Sequence, residues 1–391
     1  LEEGAWQSRM QTIAAYSAGK RGPVDMEDQK TLLQAFNQTT YQLAGHSKRD
    51  IRQLQLVFQE LDGDLQADVY GTGAVIENFQ RKMAKYLGKE SAVFFPSGTM
   101  AQQIAMRIWS EEKGINRVAY HPLCHLEIHE EEGLRKLHGI DAVLLADKHR
   151  VIALDDVLGM TEEISCLLLE LPQREIGGQL PSYEELQAIS RHCKEKGIRL
   201  HLDGARLLEI LPYYQKTAEE VCALFDSVYI SMYKGVGGIA GAILAGDETF
   251  TKEAVIWKRR HGGDLISLYP YILTAEANFE ARKGKFGEYY EQAKDLAGRY
   301  NQCHGVTTIP AVPVSNMFHV HVRLPKERFE QILLSICEET GVGISHYARK
   351  VDEHSSYYEV SIGDRYANVP AEKLASVFQV LDQKLREACQ E

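Results

Sequence analysis

Between residues 90 and 246 one pattern recurs: a short apolar-rich segment of three or four residues, a turn, then a stretch with helical spacing. The apolar runs fall at 92–95, Arg117–Tyr120, 142–145, 167–170, 199–202, 227–230 and 242–244. Short apolar-rich segments read as buried strands, and helical connections between them read as βα units. The chain is therefore expected to form a mainly parallel sheet with helices on both sides. The helical segments support this. Residues 75–87 place apolar side chains at 75, 76, 79, 83, 86 and 87, and Gly88 follows as a stop.

At 391 residues the chain is too long for one ordinary core. After about residue 275 the pattern changes. A long helical stretch over 275–300 leads into an α+β segment, with strands near Met317–Val322 and 357–362 and helices near Lys326–Thr340 and 371–388. The expected division is a segment 1–47 packing on the small domain or on a partner subunit, a large domain 48–275, and a connecting helix with a small domain over 276–391. A turn is expected at 19–23, GKRGP.

Composition excludes several functions. Lysine and arginine number 44 against 55 acids, a formal charge of −11, so the chain lacks the basic footprint of a nucleic-acid binder. No apolar run approaches the ~18 residues of a membrane helix. The first residues, LEEGAWQSRMQ, hold early acids and no apolar core, unlike a signal peptide. Seven cysteines at wide spacing, with no CxxC pair, read as reduced thiols of a cytoplasmic protein.

Four places carry candidate chemistry. Lys234 follows the run 227–230 and precedes a glycine-rich turn, YKGVGGIAG. A desolvated amine at a strand end can form a Schiff base, although an exposed loop lysine would sit there too. Asp203, in HLDGARL, ends the run 199–202, where α/β sheets bind ligands; a turn or cap aspartate is the plainer reading. Arg206 has the planar fork that suits a carboxylate or phosphate, or a surface ion pair. Ser97, Gly98 and Thr99 stand between a strand and a helix, where free N–H groups attract anions; ordinary capping explains them equally well. His121, His125 and His129 repeat every four residues, with Cys124 among them. Pro122 separates the first from the helix and the acids at 127 and 130–132 mark a solvated face, so no metal is expected. One histidine reaching a planar cofactor is the more economical reading.

Together these segments resemble the threonine aldolase and β-eliminating lyase family of pyridoxal-phosphate enzymes. The motifs are ADVYGTGAVIENFQ at 67–80, AVFFPSGTMAQQIA at 92–105, HLDGARL at 201–207 and YKGVGGIAGAILAG at 233–246, with 31 residues from Asp203 to Lys234. The resemblance spans roughly residues 66–280. It implies the aspartate-aminotransferase-type α/β fold, with a mainly parallel seven-stranded sheet and a smaller α+β C-terminal domain.

It also implies roles for individual residues. Lys234 resembles the lysine that binds pyridoxal 5'-phosphate covalently, and Asp203 the acid that pairs with the ring nitrogen and keeps it protonated. Gly98 and Thr99, with Ser97 and Ser231, resemble the cofactor cradle, and His125 the histidine stacked on the ring, with Glu130 as its following acid. Arg206 resembles the arginine that grips the substrate carboxylate. Tyr70 lies in the family's DVYG segment, at the site edge or reaching a partner's site. The implied reaction is aldolase-type cleavage of a β-hydroxy amino acid to glycine and an aldehyde. The alternatives are β-elimination to a keto acid and ammonia, or a non-catalytic cofactor-binding protein. A homodimer or homotetramer is implied as well.

The departures concern substrate recognition. DVYGTGAV replaces the usual DVYGxDPT, and HGGDLIS at 261–267 lacks the arginine that reaches the cofactor phosphate, with Arg259 and Arg260 in another register. The N-terminal arginine-serine-aspartate signature is not visible, and His129 stands where tyrosine is usual. No arginine occurs at 358–360 for the second carboxylate contact, which leaves Arg365 as a substitute. Cofactor binding thus reads as intact and substrate recognition as altered.

Overall fold

The structure, a computed structural model, describes residues 31–46 and 50–390. The expected turn at 19–23 and the placement of residues 1–30 lie outside the described residues. Eight short strands precede residue 250: β1 (Tyr41–Gln42), β2 (Ser91–Phe95), β3 (Arg117–Tyr120), β4 (Asp141–Leu144), β5 (Cys166–Glu170), β6 (Arg199–Asp203), β7 (Ser227–Ser231) and β8 (Ala242–Gly246). Seven of them form one sheet in the order β2-β8-β7-β6-β5-β3-β4. Only β8 runs against its neighbours; the other pairs are parallel. The carboxyl ends of β2, β3, β5, β6 and β7 therefore share one edge. Each expected strand is present, with ends moved by one or two residues.

Period-two geometry divides the apolar runs between two cores. Leu167, Leu169, Leu200 and Leu202 pack with Ile76 and Phe79 on one face. Cys166, Leu168 and Leu244 pack with Ile104 and Trp109 on the other. Phe94 and Phe95 are fully buried, one in each core, so truncating either to alanine is expected to cost about 3–5 kcal/mol.

The helix expected over 275–300 is two helices, Tyr269–Arg282 and Phe286–Asn301. The break coincides with Gly284 and with Arg282, whose buried guanidinium bonds Asp364 at 2.9 Å and the Val236 carbonyl at 2.8 Å. Helix propensity lost at a glycine and a tertiary tie at the last turn together end the first helix.

Beyond it, β9 (Val306–Ile309), β10 (Met317–Val322), β12 (Arg349–Lys350) and β13 (Ser356–Ser361) make an antiparallel sheet in the order β12-β13-β10-β9. Phe318, Val320, Tyr358 and Val360 turn into the core. The alternation sends His319, His321, Tyr357 and Glu359 to the other face, which is polar. β1 pairs in parallel with β11 (Val342–Gly343), and the Leu32–Gln38 helix packs on the Lys326–Thr340 helix. Residues 31–46 thus lie against the C-terminal part of the chain. No helix among the described residues is long and apolar enough to cross a membrane.

Candidate active site

Glu170, Asp203 and Tyr229 lie side by side near the carboxyl edge of the sheet, since Glu170 pairs with Asp203 and Asp203 with Tyr229 across neighbouring strands. Asp203 is 3% exposed and accepts the Ala205 N–H at 3.0 Å. Burial raises its pKa, and the Lys234 ammonium partly offsets this. Burial likewise pushes Glu170 up to about 7, with Asp203 adding to the shift. Glu209, on the Leu207–Tyr214 helix, is pushed up to about 7 by burial against the pull of Arg206 and Lys234. A Cβ on Gly235 would lie 2.1 Å from the Glu209 carboxylate, so a side chain after Lys234 would have to displace that acid.

Lys234 stands just past β7 and is ringed by these three acids. Burial and the Arg206 charge lower its pKa, while Asp203, Glu170 and Glu209 offset that in part. The amine is more often neutral than a surface lysine, which is what addition to a carbonyl requires.

The Gly98–Lys113 helix opens at the same edge. Ser97 caps it, accepting the Met100 N–H at 3.4 Å. The Gly98 and Thr99 N–H groups, at the first turn, lack acceptors within the helix. A Cβ on Gly98 would lie 2.1 Å from the Tyr229 hydroxyl, so the helix start is pressed onto β7. Thr99 is exposed, and Ser231 is buried beneath, its hydroxyl accepting the Tyr233 N–H at 3.4 Å.

The three histidines do not share a helical face. His121 precedes the short His125–Ile128 helix and is occupied by the Arg150 carbonyl at 2.9 Å and the Leu123 N–H at 3.0 Å. His125 places Nδ1 3.0 Å from the buried Glu130, which also accepts Gln103 at 2.8 Å. Its backbone N–H donates to Glu170 at 3.2 Å. His129 turns to Glu175 at 3.0 Å.

Arg206 is 12% exposed and lies 3.6 Å from Glu209 and 3.8 Å from Glu359, and its guanidinium makes no hydrogen bond among the described residues. Its donors thus remain unspent on the neighbouring acids. Arg174, in the turn after β5, bonds Glu359 at 2.7 Å. Two other expected residues stand apart from this cluster. Arg365 lines a cavity of about 600 Å³ with His46, Gly237, Gly238 and Arg282. Tyr70 is 54% exposed on a turn beside Gly71, Lys258 and Asp264.

Sequence reasoning missed Glu170, Arg174, Glu209, Tyr229 and Glu359. For Glu170 the signal was present: like Asp203 it is an acid closing an apolar run.

The donor set matches the pyridoxal phosphate that the resemblance implied. An amine of lowered pKa suits its aldehyde, a buried carboxyl suits its ring nitrogen, an imidazole suits its ring face, and a helix start with free N–H groups suits its phosphate.

Comparison with known proteins agrees. The family description "beta-eliminating lyase" matches residues 56–323. Low-specificity L-threonine aldolase 1 of Arabidopsis thaliana is 26% identical over 295 residues, covering 72% of this chain and 81% of that protein. Among solved structures, a candidate L-allo-threonine aldolase from Listeria monocytogenes EGD-E is 57% identical, with TM-score 0.89 over 90% of this chain and 98% of that one. A candidate aromatic amino acid β-eliminating lyase/threonine aldolase from Exiguobacterium sp. 255-15 is 53% identical, with TM-score 0.88 over 90% and 99%.

Proposed function

The chain belongs to the beta-eliminating lyase family, a family of pyridoxal-phosphate-dependent lyases, and from that premise we propose that it cleaves a β-hydroxy amino acid of the threonine or allo-threonine type to glycine and an aldehyde. The observation that carries the reading is the pairing of the Lys234 amine, lowered in pKa among buried acids, with an Arg206 guanidinium whose donors are unspent.

When bound, pyridoxal phosphate supplies an aldehyde for the substrate amine and a ring that takes up the electron pair of a broken Cα bond. In this proposal Lys234 holds the aldehyde end, and the Asp203 carboxylate keeps a proton on the ring nitrogen. Gly98 and Thr99 meet the phosphate with their N–H groups, beside the hydroxyls of Ser97 and Ser231. Arg206 would take the substrate's α-carboxylate and so orient the bonds at Cα. A proton on His125 Nδ1, shared with Glu130 at 3.0 Å, leaves Nε2 as an acceptor. That nitrogen would take the proton of the β-hydroxyl as the Cα–Cβ bond opens.

The proposal includes the division into domains at 48–275 and 276–391, with the site between them, and a cytoplasmic location, which the free thiols of the six described cysteines outside the last helical turn support. It also includes a homodimer or homotetramer. Tyr70, Val255, Ile256, Leu265 and Ile266 are exposed together near one turn, and a second copy would cover them and offer Tyr70 to a neighbouring site. Arg365, half-buried and in no ion pair among the described residues, is a further candidate for a substrate carboxylate.

The test is a product assay on the purified holoprotein with a panel of β-hydroxy amino acids. Glycine and an aldehyde in equal amounts are expected. Ammonia with a keto acid would make the protein an eliminating lyase, and no product from any member would contradict both readings.

A further inference from the structure

We propose that Glu359 is a positioning residue for the carboxylate grip: reaching across from the small domain, it balances Glu209 so that the Arg206 guanidinium stays centred with its free donors turned to the substrate. The inference rests on the reading of Arg206 as the ligand of the substrate carboxylate.

Glu359 sits on the polar face of β13, opposite His319 of β10. Its backbone N–H donates to the Tyr347 hydroxyl at 3.4 Å, which ties the strand at that point. One carboxylate oxygen accepts Arg174 Nε at 2.7 Å, and His319 Nε2 lies 3.9 Å from the same oxygen. The other oxygen is 3.8 Å from Arg206, an ion-pair distance at which no hydrogen bond closes. Glu209 approaches a different nitrogen, Arg206 Nε, to 3.6 Å, again without a hydrogen bond. The guanidinium is thus shared between two acids and captured by neither. Of its five N–H donors, those not aimed at the acids stay available for a planar bidentate partner, and a carboxylate is the group that matches that fork.

Anchoring matters because Glu359 cannot follow Arg206. Its short bond to Arg174 and its place on a sheet hold it still. Burial would raise its pKa, but His319, Arg206 and Arg174 outweigh that and hold it at about 2, so its charge is constant in the working range. Without that charge, Glu209 alone draws Arg206 toward the Leu207–Tyr214 helix. The 3.6 Å gap then closes to a hydrogen bond, and donors meant for the substrate are consumed.

The experiment titrates the holoenzyme with glycine and with glycinamide, which lacks the carboxylate, following the cofactor's visible absorbance. The wild type is expected to bind glycine more tightly. In Glu359→Gln, glycine affinity is expected to fall at least tenfold and glycinamide affinity by less than threefold, with KM for substrate rising more than kcat falls. Glu359→Asp, which keeps the charge one methylene shorter, is expected to recover part of the loss. If Glu359→Gln binds glycine as well as wild type or better, or loses both ligands equally, Glu359 is a competitor or a structural group and the inference is overturned. A wild type that does not prefer glycine to its amide would overturn the Arg206 reading and this inference with it.

Discussion

Glu209 tests how the buried charges around Lys234 are balanced. Its side chain is 2% exposed, one carboxylate oxygen has no hydrogen-bond partner, and Arg206 stands 3.6 Å away. Burial pushes its pKa up to about 7 from an ordinary 4.5, with Arg206 and Lys234 pulling the other way. The unfolded chain releases this proton near the ordinary value. Between those two points the folded state holds more protons than the unfolded one, so stability falls as pH rises through the window and the loss is complete above it. At about 1.4 kcal/mol per pKa unit the loss is on the order of 3 kcal/mol. Glu209→Gln has the shape of the protonated acid and cannot ionise. It is expected to match wild type near pH 5 and to exceed it at pH 8 by about 1–3 kcal/mol. For a chain of this length, unfolding entropy of about 2 cal/mol/K per residue turns that into a Tm rise of roughly 1–4 °C. The assay is thermal unfolding of the cofactor-free protein at both pH values, followed by circular dichroism. A variant that melts at or below wild type at pH 8 would mean that the ion pair with Arg206 outweighs burial, and the reasoning would fail.

Other changes probe the site piece by piece. His125→Asn is expected to lower kcat by about 10²- to 10⁴-fold with a smaller change in KM, and Glu130→Gln to give a milder loss of the same kind, both read from steady-state aldehyde production. Gly98→Ala places a methyl 2.1 Å from the Tyr229 hydroxyl and is expected to cost about 1–3 kcal/mol in denaturant unfolding. Adding Tyr229→Phe, which removes the clashing oxygen, should return part of that stability; no recovery would place the strain elsewhere.

Much of the fold was legible because buried strands and amphipathic helices write their periods locally. The runs around 92–95 and 167–170 carry both faces of the sheet in successive residues, and helices such as Tyr183–Lys196 begin at a serine cap and end at a glycine. The 275–300 stretch misled because its break depends on Arg282 reaching Val236 and Asp364, contacts distant in the chain. The site divides the same way. Lys234 and Asp203 stood out because a glycine follows each at a strand end. Glu170 offered the same position but is followed by Leu-Pro, which reads as an ordinary turn. Arg174 and Glu359 are 185 residues apart, and nothing local in either segment announces their 2.7 Å bond. The absence of an arginine near 358–360 was visible, but what occupies that place required the fold.

The central claim is that the Lys234 amine is the cofactor's covalent anchor. Borohydride reduction of the holoprotein would fix that bond, and mass spectrometry of the digest would locate it. The account predicts a pyridoxyl-phosphate mass on the peptide containing Lys234 and none on that peptide in Lys234→Ala. A label on another lysine, or no covalent label on a protein that shows the cofactor's absorbance, would contradict it.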